Sequence, residues 1–165
     1  GCGFGGSCFP KDVSALVFLS KRLGYTPQLL KATLDVNERQ PLKLVEMLEK
    51  RIGVKGKSIG ILGLAFKPET DDVRDSPAIP IIQRLIERGA TVLAYDPQGM
   101  EHMKAIFPKI TYCENPDGLV EKSDAILLVT DWKQFSNIKT DKPVIDGKRV
   151  LSETARGSDY EGICW

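Results

Sequence analysis

Apolar residues recur at two different spacings along the chain, and the change of spacing divides it into two parts. In residues 1–53 the apolar positions repeat every three or four residues, which is typical of amphipathic helices. In residues 54–165 short apolar runs alternate with such helical segments. This alternation predicts right-handed βαβ crossovers and a parallel sheet with helices on both faces. We therefore expect an α/β protein, in which a helical region precedes a doubly wound sheet domain.

The first part predicts a short helix followed by a long one. The first helix covers residues 10–23, and Gly24 ends it as the residue after the C-cap. Thr26 and Pro27 then have the character of an N-cap and a first helical residue, and a helical repeat continues from them to the end of this part. Pro41 interrupts the repeat, because proline has no backbone N–H to donate. We expect one long central helix kinked at Pro41, with a helical hairpin packed on its own domain as the alternative.

The second half of this long helix carries an apolar stripe, which consists of Leu44, Val45, Leu48 and Ile52. The predicted helix is longer than one small sheet needs for cover, so the stripe is expected to meet water unless a partner covers it. The sequence therefore predicts a homodimer that forms through residues 27–52.

The second part predicts a Rossmann-like sheet. It starts with the apolar run Ile59-Gly60-Ile61-Leu62-Gly63, as a buried parallel strand does before a tight turn. Ser76 and Pro77 then begin a helix whose predicted buried face consists of Ile79, Ile82, Leu85 and Ile86. The remaining predicted elements are the strand Thr91–Tyr95, a helix near 98–106, a strand at 110–112, the helix Pro116–Lys122, a strand at 125–129, a brief helix after Trp132 and the strand Val144–Asp146. Trp132 itself is expected to pack at the edge of the sheet.

Charge and cysteine spacing argue against nucleic acid, a membrane or a metal ion as a ligand. The 165 residues include 23 Lys and Arg against 22 Asp and Glu, so no general field draws the chain to nucleic acid or to an anionic membrane. No signal peptide or long apolar run is evident. The four cysteines follow no metal-ligand spacing; they are Cys2, Cys8, Cys113 and Cys164. We expect free thiols, no metal, no nucleic-acid or membrane partner, and a cytoplasmic location.

Residues 3–12 combine a glycine-rich loop with a thiol and a carboxylate. They read Gly-Phe-Gly-Gly-Ser-Cys-Phe-Pro-Lys-Asp. Pro10 suits the first turn of a helix, which predicts Cys8 at a helix N-terminus, where the helix dipole and Lys11 favour a thiolate. Asp12 lies one helical turn after Cys8 and can handle protons or orient water on the same face. The pattern is that of covalent catalysis, with a half-buried structural cysteine in a glycine turn as the alternative.

A second stretch follows the first predicted strand. Gly63 lies where a Rossmann domain has its phosphate-binding turn, and Asp96 ends the next strand, where a ribose-binding acid would lie. The glycines depart from GxGxxG, and Asp96 lies 33 residues beyond Gly63, where roughly 20 is usual, so a standard dinucleotide site is not expected. The inserted residues 67–76 are too many and too charged for a minimal loop, which favours a functional loop over a merely solvated one.

Both stretches resemble signatures of the nucleotide-sugar 6-dehydrogenases. Residues 3–12 are similar to the active-site signature of that family. Residues 63–77, Gly-Leu-Ala-Phe-Lys-Pro-Glu-Thr-Asp-Asp-Val-Arg-Asp-Ser-Pro, resemble the second signature, in the UDP-binding domain. The resemblance implies that two NAD⁺ oxidise a sugar C6 alcohol to a carboxylate, through a thioester on Cys8. In that scheme Asp12 helps the hydrolytic step.

The resemblance also implies binding roles by position. Arg149 aligns with a substrate-binding arginine, because Asp146-Gly147-Lys148-Arg149 resembles the family's Asp-Gly-Arg stretch. The residues implied to contact or lie near the nucleotide sugar are Gly3, Phe4, Gly5, Phe66, Lys67 and Arg149. Those implied to lie near NAD are Cys8, Lys11 and Arg74. The family also implies one long central helix at a dimer interface.

Three hypotheses about function stay open. The chain has no initiator Met and begins with the first signature, so we expect the C-terminal portion of such an enzyme, without its NAD-binding domain and inactive alone. The Phe-Pro-Lys-Asp after Cys8 favours UDP-glucose as substrate and UDP-glucuronate as product. GDP-mannose or a UDP-N-acetylhexosamine is the alternative substrate. A non-catalytic nucleotide-sugar-binding or dimerisation module is the hypothesis from another class.

Overall fold

The computed structural model describes residues 1–163 and consists of three helices followed by a mixed helix and strand region. The helices are α1 (Phe9–Arg22), α2 (Gln28–Arg39), α3 (Leu42–Ile52), α4 (Ala78–Glu87), α5 (Met100–Ile106) and α6 (Pro116–Lys122), with 3₁₀ turns at Lys133–Phe135 and Glu153–Ala155. The strands are β1 (Ser58–Leu62), β2 (Thr91–Tyr95), β3 (Thr111–Tyr112), β4 (Ala125–Leu128), β5 (Val144–Asp146) and β6 (Tyr160–Gly162). No helix within residues 1–163 combines the length and the apolarity needed to cross a membrane.

All six strands are parallel, in the order β3-β2-β1-β4-β5-β6. Ile61 of β1 pairs with Ala94 of β2 on one side and with Leu127 of β4 on the other. The strand order reverses between β1 and β4, which is the topological switch point where ligands bind at the carboxyl ends of such sheets. The predicted fold class is confirmed. Sequence patterns gave no indication of β6.

The core lies on both faces of the sheet. One face packs on α3 and α4, and its fully buried side chains include Leu44, Leu48, Ile81, Ile82 and Leu85. The other face packs on α6 and the first 3₁₀ turn, through Leu119, Trp132 and Phe135. Burial on both faces explains why β1 and β4 are continuous apolar runs without polar alternation.

The apolar stripe of α3 packs on the sheet of its own chain. Leu44, Val45 and Leu48 are buried in the same cluster as Ile59 and Ile145. The prediction that this stripe meets water is therefore wrong, because the sheet face is wide enough to hold two helices. The homodimer stays a prediction, without this support. Most of the exposed large apolar side chains in the described chain lie instead on α1, α2 and the turn between them, and include Phe18, Leu19, Leu23, Leu29 and Val36; Ile86 of α4 and Ile106 of α5 are the others.

The predicted long helix is present as α2 and α3, joined without a reversal of the chain. Gln40 (φ −60°, ψ −40°) and Pro41 (φ −60°, ψ −37°) both keep helical dihedral angles, which excludes a hairpin at this point. Pro41 interrupts the hydrogen-bond ladder, because it has no N–H to donate to the carbonyl of Asn37. The predicted N-cap at Thr26 is one residue early, since Pro27 is the N-cap of α2.

The buried face of α4 differs from the predicted one. Its buried residues are Ala78, Ile81, Ile82 and Leu85. Ile86 is exposed and Ile79 is partly buried. Spacings of three and four residues from Ala78 define the observed stripe, and the two mispredicted isoleucines lie along its borders.

Candidate functional site

The two signature stretches pack against each other at the carboxyl ends of the central strands. The Gly6 N–H donates to the carbonyl oxygen of Arg74 at 2.8 Å. A Cβ on Gly6 would lie 2.6 Å from the Phe66 ring, and a Cβ on Gly5 would overlap the carbonyl oxygen of Asp75. Only glycine fits this close approach of the two loops, and Gly6 also has a left-handed φ of 83°.

Replacing Gly6 by alanine is expected to separate the two loops. A left-handed alanine costs about 1–2 kcal/mol, and the clash with the Phe66 ring adds about 1–3 kcal/mol. Gly24→Ala is the matched control, because Gly24 has a similar φ of 76° and nothing lies within 4 Å of its added Cβ. Thermal unfolding and the rate of Cys8 alkylation measure the difference between the variants. Equal losses for the two variants would show that the close packing contributes nothing.

Cys8 begins α1, as predicted. It is the N-cap residue and is exposed, and its carbonyl oxygen accepts the Asp12 N–H at 2.8 Å. Lys11 and Asp12 form an ion pair with each other, with 71% and 61% of their side chains exposed. The hydrogen bond that Lys11 donates to Asp12 raises the pKa of the lysine. A thiol, a cation and a carboxylate therefore meet at the start of one helix.

Arg74 lies in the second loop, beside the same helix start. It pairs with Asp72 through two nitrogens, Nε to Oδ1 at 3.0 Å and Nη2 to Oδ2 at 2.7 Å. The hydrogen bond from Arg74 lowers the pKa of Asp72. The hydrogen bond to Asp72, and in smaller part the charge of Cys8, raises the pKa of Arg74. The structure thus brings together Cys8, Lys11 and Arg74, which the resemblance associates with NAD. No group of three or more His, Cys, Asp or Glu residues in the described chain is arranged to hold a metal ion.

Lys67 and Arg149 lie on two different loops at the same edge of the sheet. Lys67 follows β1, with its Nζ 5.5 Å from the centroid of the Phe66 ring. Arg149 follows β5 and is exposed, in a left-handed conformation with φ 58°. Only β4 separates β1 from β5 in the sheet. Two strand spacings amount to about 10 Å, a distance that a diphosphate and its neighbouring sugars can bridge.

Asp146 builds the turn that carries Arg149. Its fully buried carboxylate accepts hydrogen bonds from the N–H groups of Lys148, Val150 and Leu151, at 2.9, 2.7 and 3.1 Å. It also accepts the Tyr160 hydroxyl at 3.0 Å. Burial, followed by the charge and hydrogen bond of Asp146, raises the pKa of Tyr160 to about 12. Strand β6 therefore takes part in holding the arginine loop.

Asp96 is a structural residue, fully buried at the end of β2. Its Oδ2 accepts the N–H groups of Leu64 and Ala65 at 2.7 and 3.0 Å, and the indole N–H of Trp132 at 3.0 Å. Its Oδ1 accepts two more, from Gln98 at 2.9 Å and Gly99 at 2.7 Å. With both oxygens engaged, Asp96 holds the loop that leads to Phe66 and is not placed to bind a ribose. Trp132 is buried as expected, and its hydrogen bond to Asp96 was not foreseen.

Comparison with known proteins agrees with this geometry. The sequence model of the UDP-glucose/GDP-mannose dehydrogenase family, UDP binding domain, matches residues 60–153, and the model of the family's central domain matches residues 1–39. The chain belongs to this family. The two models leave residues 40–59 and 154–165 unmatched, and the first of these stretches includes α3, which packs on the sheet. The domain boundary between residues 53 and 54 stays a prediction.

Relatives in the family cover nearly the whole chain. A UDP-glucose 6-dehydrogenase of Haloferax volcanii is 42% identical over 169 residues, covering 99% of this chain and 39% of the relative. One from Pseudomonas aeruginosa is 41% identical over 182 residues, covering 99% of this chain and 40% of the relative. The chain therefore spans about two fifths of the length of these relatives.

Solved structures show the same fold. A UDP-glucose dehydrogenase from Pyrobaculum islandicum superimposes with a TM-score of 0.93 at 40% identity, covering all of this chain and 39% of that one. A GDP-mannose dehydrogenase from Pseudomonas aeruginosa superimposes with a TM-score of 0.87 at 28% identity, covering all of this chain and 40% of that one. The fold is thus shared by dehydrogenases of different nucleotide sugars.

Sequence patterns missed two side chains, from α2 and its C-cap, that are hydrogen bonded to the first residues of the chain. Asn37 is hydrogen bonded to both the N–H and the carbonyl group of Phe4, and the Gln40 Nε2 donates to the carbonyl oxygen of Gly1 at 2.9 Å. Both border a groove that Phe4 and Lys148 also line. Asparagine is unfavourable inside a helix, so an asparagine at position 37 could have indicated a side chain with a specific contact.

Proposed function

We propose that this chain is the part of an NAD-dependent UDP-glucose 6-dehydrogenase that carries the catalytic cysteine and binds the UDP moiety. The observation that carries the proposal is the packing of the first signature on the second, with Gly6 against the Phe66 ring and the carbonyl oxygen of Arg74. This packing puts the thiol of Cys8 next to the loop of Lys67. The family membership and the UDP-glucose 6-dehydrogenases among the relatives support the choice of reaction.

The reaction converts the C6 alcohol of UDP-glucose into the carboxylate of UDP-glucuronate. C6 loses one hydride in each of two oxidations, and each hydride leaves together with a hydroxyl proton that is released to solvent. A separate NAD⁺ molecule, bound in turn, would supply the oxidant for each oxidation. After the first oxidation the Cys8 sulfur adds to the aldehyde carbon, and after the second it holds the sugar as a thioester. Asp12 takes a proton from the water that hydrolyses the thioester, which releases the acid and the Cys8 thiol.

The cations near Cys8 fit a dinucleotide. Lys11 and Arg74 are both within electrostatic range of Cys8, and their side chains are mostly exposed. A pyrophosphate needs such cations, since charge-assisted hydrogen bonds to phosphate oxygens are about twice as strong as neutral ones. We assign most of the NAD contacts to the part of the enzyme that the relatives possess beyond this chain.

The UDP moiety is proposed to lie across the loops after β1 and β5. Lys67 and Arg149 offer two cations to its diphosphate, and each charge-assisted contact is worth about 1.5–3 kcal/mol. Gly3, Phe4 and Gly5 then border the sugar, because Gly5 packs on the loop that carries Lys67. A homodimer and a cytoplasmic location belong to the same proposal.

A panel of nucleotide sugars tests the proposal on the full-length enzyme that contains this chain. UDP-glucose is expected to give the highest kcat/KM, with two NADH formed per UDP-glucuronate. GDP-mannose and the UDP-N-acetylhexosamines are the competing substrates, and UDP-galactose is a control that tests the C4 hydroxyl. A higher kcat/KM for GDP-mannose would assign the chain to another member of the family.

A further inference from the structure

One side chain of α2, that of Asn37, is hydrogen bonded to both backbone polar groups of Phe4 in the cysteine loop, residues 3–8. The Asn37 Oδ1 accepts the Phe4 N–H at 2.7 Å, and the Asn37 Nδ2 donates to the Phe4 carbonyl oxygen at 3.0 Å. We propose that Asn37 is a positioning residue, which fixes the cysteine loop so that Cys8 meets the substrate in a productive geometry. Its catalytic consequence rests on the proposed function, whereas its effect on the loop does not.

The chemistry of asparagine suits this contact. Its carboxamide presents one acceptor and one donor side by side, so it pairs with a single residue as a neighbouring β-strand would. Aspartate offers the acceptor without the donor, and alanine offers neither. The Asn37 side chain also packs closely on Gly3, since a Cβ on Gly3 would lie 3.0 Å from the Asn37 Oδ1. Asn37, a residue type that is unfavourable inside a helix, thus fits here because Gly3 has no side chain.

Phe4 is linked to Cys8 through a ring contact with Phe9, the neighbour of Cys8 in the sequence. Phe4 lies four residues before Cys8, and its ring packs edge to face on Phe9, with centroids 5.9 Å apart at 71°. Phe9 is the first residue of α1, directly after Cys8. Between these points the Gly6 N–H is held by the Arg74 carbonyl oxygen. The loop is therefore attached to α2 at one end and to the second signature in the middle, and both attachments orient the start of α1.

The test uses Asn37→Ala and Asn37→Asp in the full-length enzyme. For Asn37→Ala, amide hydrogen exchange at Phe4 is expected to speed up by about tenfold or more, while exchange at Gly6 changes less. The Cys8 alkylation rate should change, and kcat with UDP-glucose should fall by about ten- to a hundredfold, with a smaller effect on KM. Asn37→Asp keeps the acceptor for the Phe4 N–H, so its Phe4 exchange and its kcat should lie between those of wild type and Asn37→Ala.

Asn115→Ala is the matched control. Asn115 also holds backbone with its side chain, since its Oδ1 accepts the Gly118 N–H at 2.8 Å as the N-cap of α6. A mere loss of stability would lower kcat equally in Asn37→Ala and Asn115→Ala, and that result overturns the proposal. Phe4 exchange and kcat that stay within about twofold of wild type in Asn37→Ala overturn it as well. If Phe4 exchange changes but the wild-type enzyme oxidises no nucleotide sugar, the proposed function fails and the loop contact stands.

Discussion

Replacing Cys8 by serine is expected to abolish formation of the sugar acid in the full-length enzyme, with a loss of about four orders of magnitude or more in turnover. A serine hydroxyl is ionised far less than a cysteine thiol near neutral pH, so serine at this position is a poor nucleophile. Binding of UDP-glucose should change by less than about twofold, because Lys67 and Arg149 remain. Quenched-flow mass spectrometry detects the thioester, and calorimetry measures binding.

Cys113→Ser is the control for this substitution. Cys8 is exposed, whereas Cys2 and Cys113 are buried, and burial raises the pKa of both buried thiols. Cys8 should therefore be alkylated faster than either of them, and Cys113→Ser should keep full activity. Cys164 lies outside the described residues. Sugar acid made at an undiminished rate by Cys8→Ser would remove the nucleophile from this mechanism.

Local sequence signals were sufficient for most elements of the fold. The predicted bounds of β2, α6 and β5 agree with the structure. In each case a turn residue lies at the boundary, such as Asn115, whose side chain caps α6. Strand β6 could not be predicted in this way, because its three residues, Tyr160–Gly162, form no apolar run. They become a strand by pairing with β5 at the edge of the sheet.

The surface that buries the apolar stripe of α3 could not be predicted from the sequence either. Amphipathicity shows that Leu44 and Leu48 must be buried, but it does not show which surface buries them. The answer depends on the width of the sheet face beside α4. The packing of Gly6 on Phe66 is a similar case, since 60 residues separate the two. Their proximity follows from topology, and in the sequence only the resemblance of both stretches to one family indicated it.

Asp96→Asn is expected to have the largest effect on stability. Each carboxylate oxygen of Asp96 accepts at least two N–H groups, so an asparagine NH₂ must face N–H donors in either orientation. Leaving these buried donors unsatisfied costs about 3–5 kcal/mol. The corresponding fall in Tm is about 6–20 °C for a domain of this size. UDP binding should also weaken, because Leu64 and Ala65 lead directly to Phe66.

Asp124→Asn gives the comparison that isolates this effect. Asp124 is exposed at the opposite end of the sheet, where its Oδ2 accepts the N–H of Ser58 at 2.8 Å. Its substitution should lower Tm by less than about 2 °C, because water can satisfy the donor that it leaves. Calorimetry on the full-length variants measures both values. A similar Tm for the two variants would mean that the loop of the second signature is held by packing alone, and that the buried carboxylate is not what fixes Phe66 and Lys67 in place.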